Sequence, residues 1–247
     1  GSKQHPDTYS DTTSPVAGQM ILRLYLCLTA YRKWEMVQLD LTNAYLHAPI
    51  QDVVYIIIPQ GFPGEGEVAL LKKAAYGTKQ GARRFYDYNK KVLLHLGLTL
   101  CPNEPCLFRY LHQGSVCVCY LLQYVDDALI AGEPTAITHL QQKMQEHFHC
   151  KFERPKDFLG LDLTHKQQGE LTLSMTSFTT KMKDVLQLHD TYFGEILTPG
   201  RTDKKVNRTD PHEPNNNYRS RVGTLNWLTM GLRYDAYPGT VLPGQYS

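Results

Sequence analysis

One stretch constrains the fold of this chain more than any other: residues 116–132, reading Val-Cys-Val-Cys-Tyr-Leu-Leu-Gln-Tyr-Val-Asp-Asp-Ala-Leu-Ile-Ala-Gly. An apolar, β-branched and aromatic run leads into the adjacent pair Asp126 and Asp127, and a second short apolar run leaves them and stops at Gly132. The only charges fall between the two runs, so the pattern predicts a β-hairpin with both carboxylates at its turn. Two neighbouring carboxylates repel, and a fold that holds them together usually supplies a cation. Aspartate is also common in surface turns, so the doublet alone fits either a metal site or a plain turn.

A second acid of the right kind lies upstream. Residues 35–41 alternate, with Met36, Val37 and Leu39 apolar and Asp40 at the end of the run. This predicts a strand that delivers a carboxylate at its C-terminal tip, a common place for a catalytic group; capping the next turn is the plainer role for the same residue. Tyr45 follows on the segment that turns away from the strand, where a lone tyrosine is most often a core aromatic. Placed at neighbouring strand tips, Asp40, Asp126 and Asp127 would form an oxygen-only pocket, which suits magnesium. Two such ions about 3.5–4 Å apart can hold an attacking hydroxyl and a leaving pyrophosphate in line.

The rest of the chain reads as mixed helix and strand. Apolar residues at helical spacing (Ile21, Leu24, Tyr25, Leu28) predict a helix over 20–32. A strand is expected over 53–58, closed by Pro59. A helix over 80–96 carries Phe85, Tyr88, Val92 and Leu96 as its apolar stripe and is closed by Gly97. Residues 103–110 form a proline-interrupted strand approach, and 136–148 a further amphipathic helix. Residues 158–163 and 171–173 are expected to form a hairpin around Gln168-Gly169, followed by a helix over 177–188. Residues 190–217, rich in Pro, Asn, Asp and Gly, read as a long loop leading to a last helix from Tyr218 through Val222, Leu225, Trp227 and Leu228, and the Pro- and Gly-bearing end, 237–244, is hostile to a helix.

Composition excludes several classes. With 247 residues, 42% hydrophobic and 20% charged, the chain has ample material for a core and is not disordered. A net charge of only +2 means that any nucleic-acid surface must be local, as at Lys72-Lys73, Arg83-Arg84, Lys90-Lys91 and Lys204-Lys205. The six cysteines form no Cys-x-x-Cys pair and are expected to be reduced thiols in a reducing compartment, and no secretory leader is expected. His139, His147 and His149 lack acidic or thiol partners at ligand spacing, so they make no zinc motif. The longest early apolar stretch, 20–31, is interrupted by Arg23 and is too short to span a bilayer, so no membrane partner is expected.

Five segments occur in a telling order: Gln38-Leu39-Asp40-Leu41-Thr42-Asn43-Ala44-Tyr45-Leu46, Ile58-Pro59-Gln60-Gly61-Phe62, Ala75-Tyr76-Gly77-Thr78-Lys79-Gln80, Tyr124-Val125-Asp126-Asp127 and Phe158-Leu159-Gly160. Together they closely resemble reverse transcriptases of copia-type (Pseudoviridae) retrotransposons, from about Asp7 to Asp235. The resemblance implies RNA- and DNA-directed DNA polymerisation with two magnesium ions, manganese being a possible substitute. It implies Asp40, Asp126, Asp127 and the Leu41 carbonyl as metal ligands, with Asp127 the more peripheral acid. Tyr45 would lie beneath the incoming sugar and exclude a 2′-hydroxyl, with Gln80 and Gly81 beside the incoming nucleotide and template. Lys156 would protonate pyrophosphate. Tyr124, the hairpin residues Leu159, Gly160, Leu161 and Asp162, and Trp227 on a thumb helix would contact primer and template.

The fold so implied is α+β: a right-hand palm with an antiparallel sheet and helices on one face, partial fingers and a small helical thumb. Residues 1–39 would be a partial fingers segment, 40–165 the palm with an embedded fingers region at 46–100, and 166–247 the primer-grip end and thumb. Implied partners are template RNA or DNA with primer, deoxynucleoside triphosphates, a second copy, and polyprotein neighbours such as integrase and ribonuclease H. The implied setting is a cytoplasmic virus-like particle or the nucleus, not secretion. The chain departs from the family in two places: the basic finger hairpin is expected upstream of residues 7–39, and Arg233-Tyr234-Asp235 stands where Arg-Pro-Asp is usual. A catalytically silent retroelement-derived protein that binds nucleic acid or a protein partner is the rival reading, and a nucleotidyl cyclase-like enzyme on a related palm is a third.

Overall fold

A computed structural model describes residues 4–5, 9–112, 118–165, 170–186 and 218–232. The chain divides into two compact units, Gly1–Pro155 with His165–Glu170, and Lys156–Thr164 with Leu171–Ser247.

The first unit is built on six strands. In chain order these are β1 (Glu35–Leu41), then β4 (Leu98–Leu100), β5 (Leu107–Leu111), β6 (Val118–Tyr124), β7 (Asp127–Gly132) and β8 (Cys150–Glu153); the intervening β2 (Tyr55–Ile57) and β3 (Val68–Leu70) pair apart as a small hairpin. The sheet order is β4-β5-β6-β7-β1-β8, with neighbours antiparallel throughout. Successive side chains on a strand point to opposite faces. Leu39 and Leu41 of β1, Phe108 and Tyr110 of β5, Cys119 and Leu121 of β6, and Ala128 and Ile130 of β7 therefore share one face. That face packs on helices α2 (Gly81–His95), through Phe85 and Leu93, and α3 (Pro134–His147), through Ile137, Leu140 and Met144. Helix α1 (Gln19–Arg32) contributes nothing to this core. Its Tyr25 hydroxyl lies 3.0 Å from the carbonyl oxygens of Tyr120 and Leu129, and Trp34 just beyond it packs on Tyr120, which points to the opposite face. The helices thus cover both faces of the sheet rather than the one that the sequence resemblance implied.

The second unit holds β9 (Asp157–Phe158), β10 (Leu161–His165) and β11 (Leu171–Ser174) in the order β11-β10-β9, with helices α4 (Thr176–Leu186) and α5 (Tyr218–Gly231). Residues 158–163 are not one continuous strand. Phe158 pairs with Leu161, and the two residues between them, Leu159 and Gly160, have φ of 52° and 75°. A two-residue hairpin turn asks for this conformation, and glycine at one of the two positions lowers its cost. Asp162 on β10 accepts hydrogen bonds from the Ser174 hydroxyl and the Ser177 amide, both at 3.0 Å; bonding from the Ser177 side chain, then from its amide, and less so from Ser174, holds the carboxyl below the usual carboxylate range.

Helices α1, α2 and α3 fall within two residues of the ranges expected from their periodicity, and α4 and α5 begin within one residue of theirs. The strand expected over 53–58 shrinks to Tyr55–Ile57, all three residues exposed. Strands β4 and β8 carried no clear pattern, being three and four residues long. The turn at Gln168-Gly169, the loop over 190–217 and the segment 237–244 lie outside the described residues. Cys27, Cys101, Cys106, Cys119 and Cys150 are free thiols. No helix among the described residues is long and apolar enough to cross a membrane.

The hairpin of β6 and β7 is closed by only two residues, Val125 and Asp126, because Tyr124 pairs directly with Asp127. Val125 has φ of 55°, a conformation that β-branched residues avoid. The buried Gln123 steadies the turn: its Nε2 donates to the Val125 carbonyl at 3.1 Å. Asparagine tolerates the left-handed region, so Val125→Asn should raise the unfolding free energy by about 1 kcal/mol. Denaturant titration checks this; a loss of stability would mean that the valine side chain contributes more through packing than its backbone costs.

Candidate active site

The pairing of β1 with β7 sets the site. Asp40 and Asp127 are direct cross-strand partners. Their side chains therefore leave the same face of the sheet, with Cα atoms about 4.5–5.5 Å apart. That face is the one opposite α2 and α3, since Leu39 and Ala128, each one residue away, point into the core. Asp126 sits in the turn next to Asp127 and Tyr124 ends β6 against it. Asp40 is exposed, and Asp126, Asp127 and Tyr124 are partly buried. The Leu41 carbonyl follows Asp40 at the end of β1. The sheet thus brings Asp40 beside the Asp126-Asp127 pair, which lies far along the chain from it.

Around Asp126 lies an aromatic stack. After β1 the chain turns through Asn43, at φ 52°, into a short 3₁₀ segment, Ala44–His47, that carries Tyr45. Tyr45 stacks on the fully buried Phe85 of α2 with ring centres 5.6 Å apart, and the Tyr76 ring leans on Tyr45 with ring centres 4.0 Å apart. The Tyr76 hydroxyl donates to Asp126 Oδ2 at 3.0 Å. Burial, then this bond to a carboxylate, pushes the Tyr76 phenol up to about 12. Burial and the nearby charge of Asp126 raise Tyr45 as well.

Gln80 and Gly81 start α2 below this stack. Gln80 is fully buried, and its Oε1 accepts a bond from Gln4 Nε2 at 2.9 Å, while the Lys79 amide donates to Gln4 Oε1 at 3.1 Å. The N-terminal stretch also meets Arg83, which pairs with Asp11 at 2.8 Å. Gly81 has no room for a side chain: a Cβ would stand 2.6 Å from Thr78 Oγ1, 2.8 Å from the Ala75 carbonyl and 3.1 Å from the Tyr45 ring.

The remaining expected site residues belong to the second unit. Lys156 is exposed, Leu159 and Gly160 form the turn, Leu161 is buried and Asp162 is held by the serines. Trp227 on α5 is partly buried, with its Nε1 3.1 Å from where a Cβ on Gly160 would stand.

The donor set fits magnesium by type, being hard oxygens on the ends of paired strands. The side-chain arrangement does not yet: among the described residues no three His, Cys, Asp or Glu groups are gathered closely enough to hold a metal ion. Asp126 is turned to Tyr76 instead.

A sequence model of the family described as "Reverse transcriptase (RNA-dependent DNA polymerase)" matches residues 1–199. The chain belongs to this reverse transcriptase family. It is 33% identical over 243 residues to the retrovirus-related Pol polyprotein from transposon RE2 of Arabidopsis thaliana, with 93% of this chain and 16% of the relative covered. The corresponding Pol polyprotein from transposon TNT 1-94 of Nicotiana tabacum is 27% identical, covering 92% of this chain and 18% of the relative. The transposon Ty1-NL2 Gag-Pol polyprotein of Saccharomyces cerevisiae is 25% identical, covering 96% and 14%. These are copia-type elements, and the chain spans less than a fifth of their length.

Sequence patterns assign no role to three residues that the structure brings to this region. Tyr76 lies in the segment Ala75-Tyr76-Gly77-Thr78-Lys79-Gln80, where nothing in its spacing points to Asp126. Lys151 is the cross-strand partner of Asp40 on β8, which puts a cation's side chain on the carboxylate face, and the alternation of β8 is too short, at four residues, to reveal it. Gln4 lies in a polar stretch that periodicity cannot place. The tight packing at Gly81 yields a direct check: Gly81→Ala should cost about 1–3 kcal/mol by forcing the 75–81 turn apart. An unchanged denaturation midpoint would show that the turn has slack.

Proposed function

We propose that this chain is the polymerase portion of a copia-type reverse transcriptase, which extends a primer with deoxynucleotides on an RNA or DNA template. The observation that supports this most is the β1–β7 register, which draws Asp40 to Asp127 and the Asp126 turn. Magnesium, with manganese as a substitute, would be held by Asp40, Asp126, Asp127 and the Leu41 carbonyl, and supplies Lewis acidity for in-line displacement of pyrophosphate. The protein's own residues supply position. Tyr45, braced by Phe85, forms a rigid wall under the incoming sugar, where a 2′-hydroxyl would clash. Gly81 leaves Tyr45 the space to stand there. Gln80 and Gly81 border the nucleotide and template, and Tyr124 the primer end. In the second unit, Leu159 to Asp162 and Trp227 serve as the primer grip, and Lys156 gives a proton to the departing pyrophosphate. Integrase and ribonuclease H segments of a polyprotein, or a second copy, are its expected neighbours.

Primer extension on an RNA template with magnesium tests the reading. Asp126→Asn should lower the rate by more than about a hundredfold, beyond the loss seen when a ligand's supporting partner is removed. Duplex binding should persist in that variant and weaken as salt rises, because phosphate contacts release counterions. A parent chain that binds duplex yet extends nothing under any divalent metal would favour the silent retroelement-derived protein. Tyr45→Ala should raise ribonucleotide incorporation relative to deoxynucleotide by about tenfold or more. Unchanged sugar selection, measured in competition, would remove Tyr45 from that role.

A further inference from the structure

The aromatic stack ends on an acid that the proposed reaction needs. Phe85 is fully buried and fixed in the core. Tyr45 lies nearly parallel to it, at 16°, and Tyr76 leans on Tyr45 with ring centres 4.0 Å apart. Tyr76 itself is 56% exposed, so its own burial does not hold it in place. The stack aims its hydroxyl, and that hydroxyl meets Asp126 Oδ2 at 3.0 Å. A bond from a hydroxyl to an ionised carboxylate is among the stronger hydrogen bonds, and it is directional. It sets which way the Asp126 carboxylate faces. Among the described residues no three acids are gathered for a metal ion while this bond is made.

We infer that Tyr76 is a positioning residue that holds Asp126 turned away from the shared ligand cluster, so that a divalent ion must take the carboxylate from the Tyr76 hydroxyl before the site is complete. The inference rests on the reading of Asp126 as a metal ligand. Tyr76 acts only through Asp126 and Tyr45. Its two parts are separable: the hydroxyl restrains the carboxylate, and the ring props the wall formed by Tyr45. Metal entry and the sugar wall are thereby linked through one side chain, since a movement of Tyr76 that frees Asp126 also removes support from one side of Tyr45.

Two substitutions separate the parts, and manganese binding to the chain without nucleic acid or nucleotide gives a readout that needs no turnover. Free manganese is counted by its electron paramagnetic resonance signal. Tyr76→Phe removes the hydroxyl and keeps the ring; it should tighten manganese binding by about threefold to tenfold, the range set by one charge-assisted bond in a solvent-reached position. In primer extension it should lower the half-saturating magnesium by a similar factor, leave kcat at saturating magnesium unchanged, and leave ribonucleotide exclusion intact. Tyr76→Leu, which loses both parts, should tighten manganese binding likewise and also relax ribonucleotide exclusion. If Tyr76→Phe does not fold, Tyr76→Leu still reports on the restraint through manganese. Manganese affinity that is unchanged or weaker in the variants, or absent from parent and variants alike, overturns the inference. Asp126→Asn tells the two failures apart. If it abolishes manganese binding while Tyr76→Phe has no effect, only the restraint is wrong. If it leaves binding untouched, Asp126 is not a ligand and the underlying reading falls with it.

Discussion

Antiparallel pairing between β1 and β7 fixes where every acid of the site can be, because a strand allows its side chains only two faces. Asp40 opposite Asp127 is one register among several that the same two strands could adopt. A slip of one residue would send Asp40 to the core face and take Leu39 and Leu41 out of the core they share with α2 and α3. The fully apolar companions prevent that. Leu39 and Leu41 on β1, and Ala128 and Ile130 on β7, are all at most 4% exposed and belong to the same core as α2 and α3. Burial of each large side chain contributes about 1.5–3 kcal/mol. The hydrophobic pattern therefore holds the acids in place without touching them, and β8 on the far side of β1 removes the free edge along which β1 could slide.

The hairpin turn works against this economy. Placing Asp126 next to Asp127 with only two linking residues puts Val125 at φ 55°. That strain costs of the order of 1–3 kcal/mol, and it persists only when the surroundings over-determine the backbone. Here the surroundings are specific: the β6–β7 ladder from Cys119–Gly132 to Tyr124–Asp127, and the amide of Gln123 on the Val125 carbonyl. Gln123 is a buried polar residue in an otherwise apolar strand, and the turn accounts for its presence. A strained turn on a rigid ladder trades a local loss of stability for precise placement of the two acids it carries.

Much of this could be read before any coordinates. The alternation before Asp40, the two runs around Asp126-Asp127 and the stripe on α2 each carry enough periodic residues for the pattern to stand out. What escaped has physical reasons. Strand β8, Cys150–Glu153, alternates over only four residues, too few for the pattern to stand out, and Lys151 opposite Asp40 is hidden with it. The break at Leu159-Gly160 hides because leucine at φ 52° is not a turn signal, and only the glycine beside it hints at one. Placement of α1 on the face opposite α2 and α3 depends on long-range contacts such as Tyr25 with Tyr120 and Leu129, which no local window contains. The same is true of the stack: Phe85, Tyr45 and Tyr76 come from three separate segments, and only folding makes them neighbours.

The site therefore joins two kinds of support with different stiffness. Asp40 and Asp127 ride on paired strands, where moving a side chain means breaking a ladder. Asp126 rides on a two-residue turn, and Tyr76 on a loop between β3 and α2, braced by Tyr45 and by its hydrogen bond to Asp126. Barriers to rotating one exposed side chain are far lower than those to shifting a strand, and such rotations take place in picoseconds to nanoseconds. Any rearrangement that completes the cluster should then run through Asp126 and Tyr76, with the sheet as the fixed reference. The pair of acids on the ladder is the fixed part of this face, and the turn acid with its tyrosine is the part that a side-chain rotation alone can change.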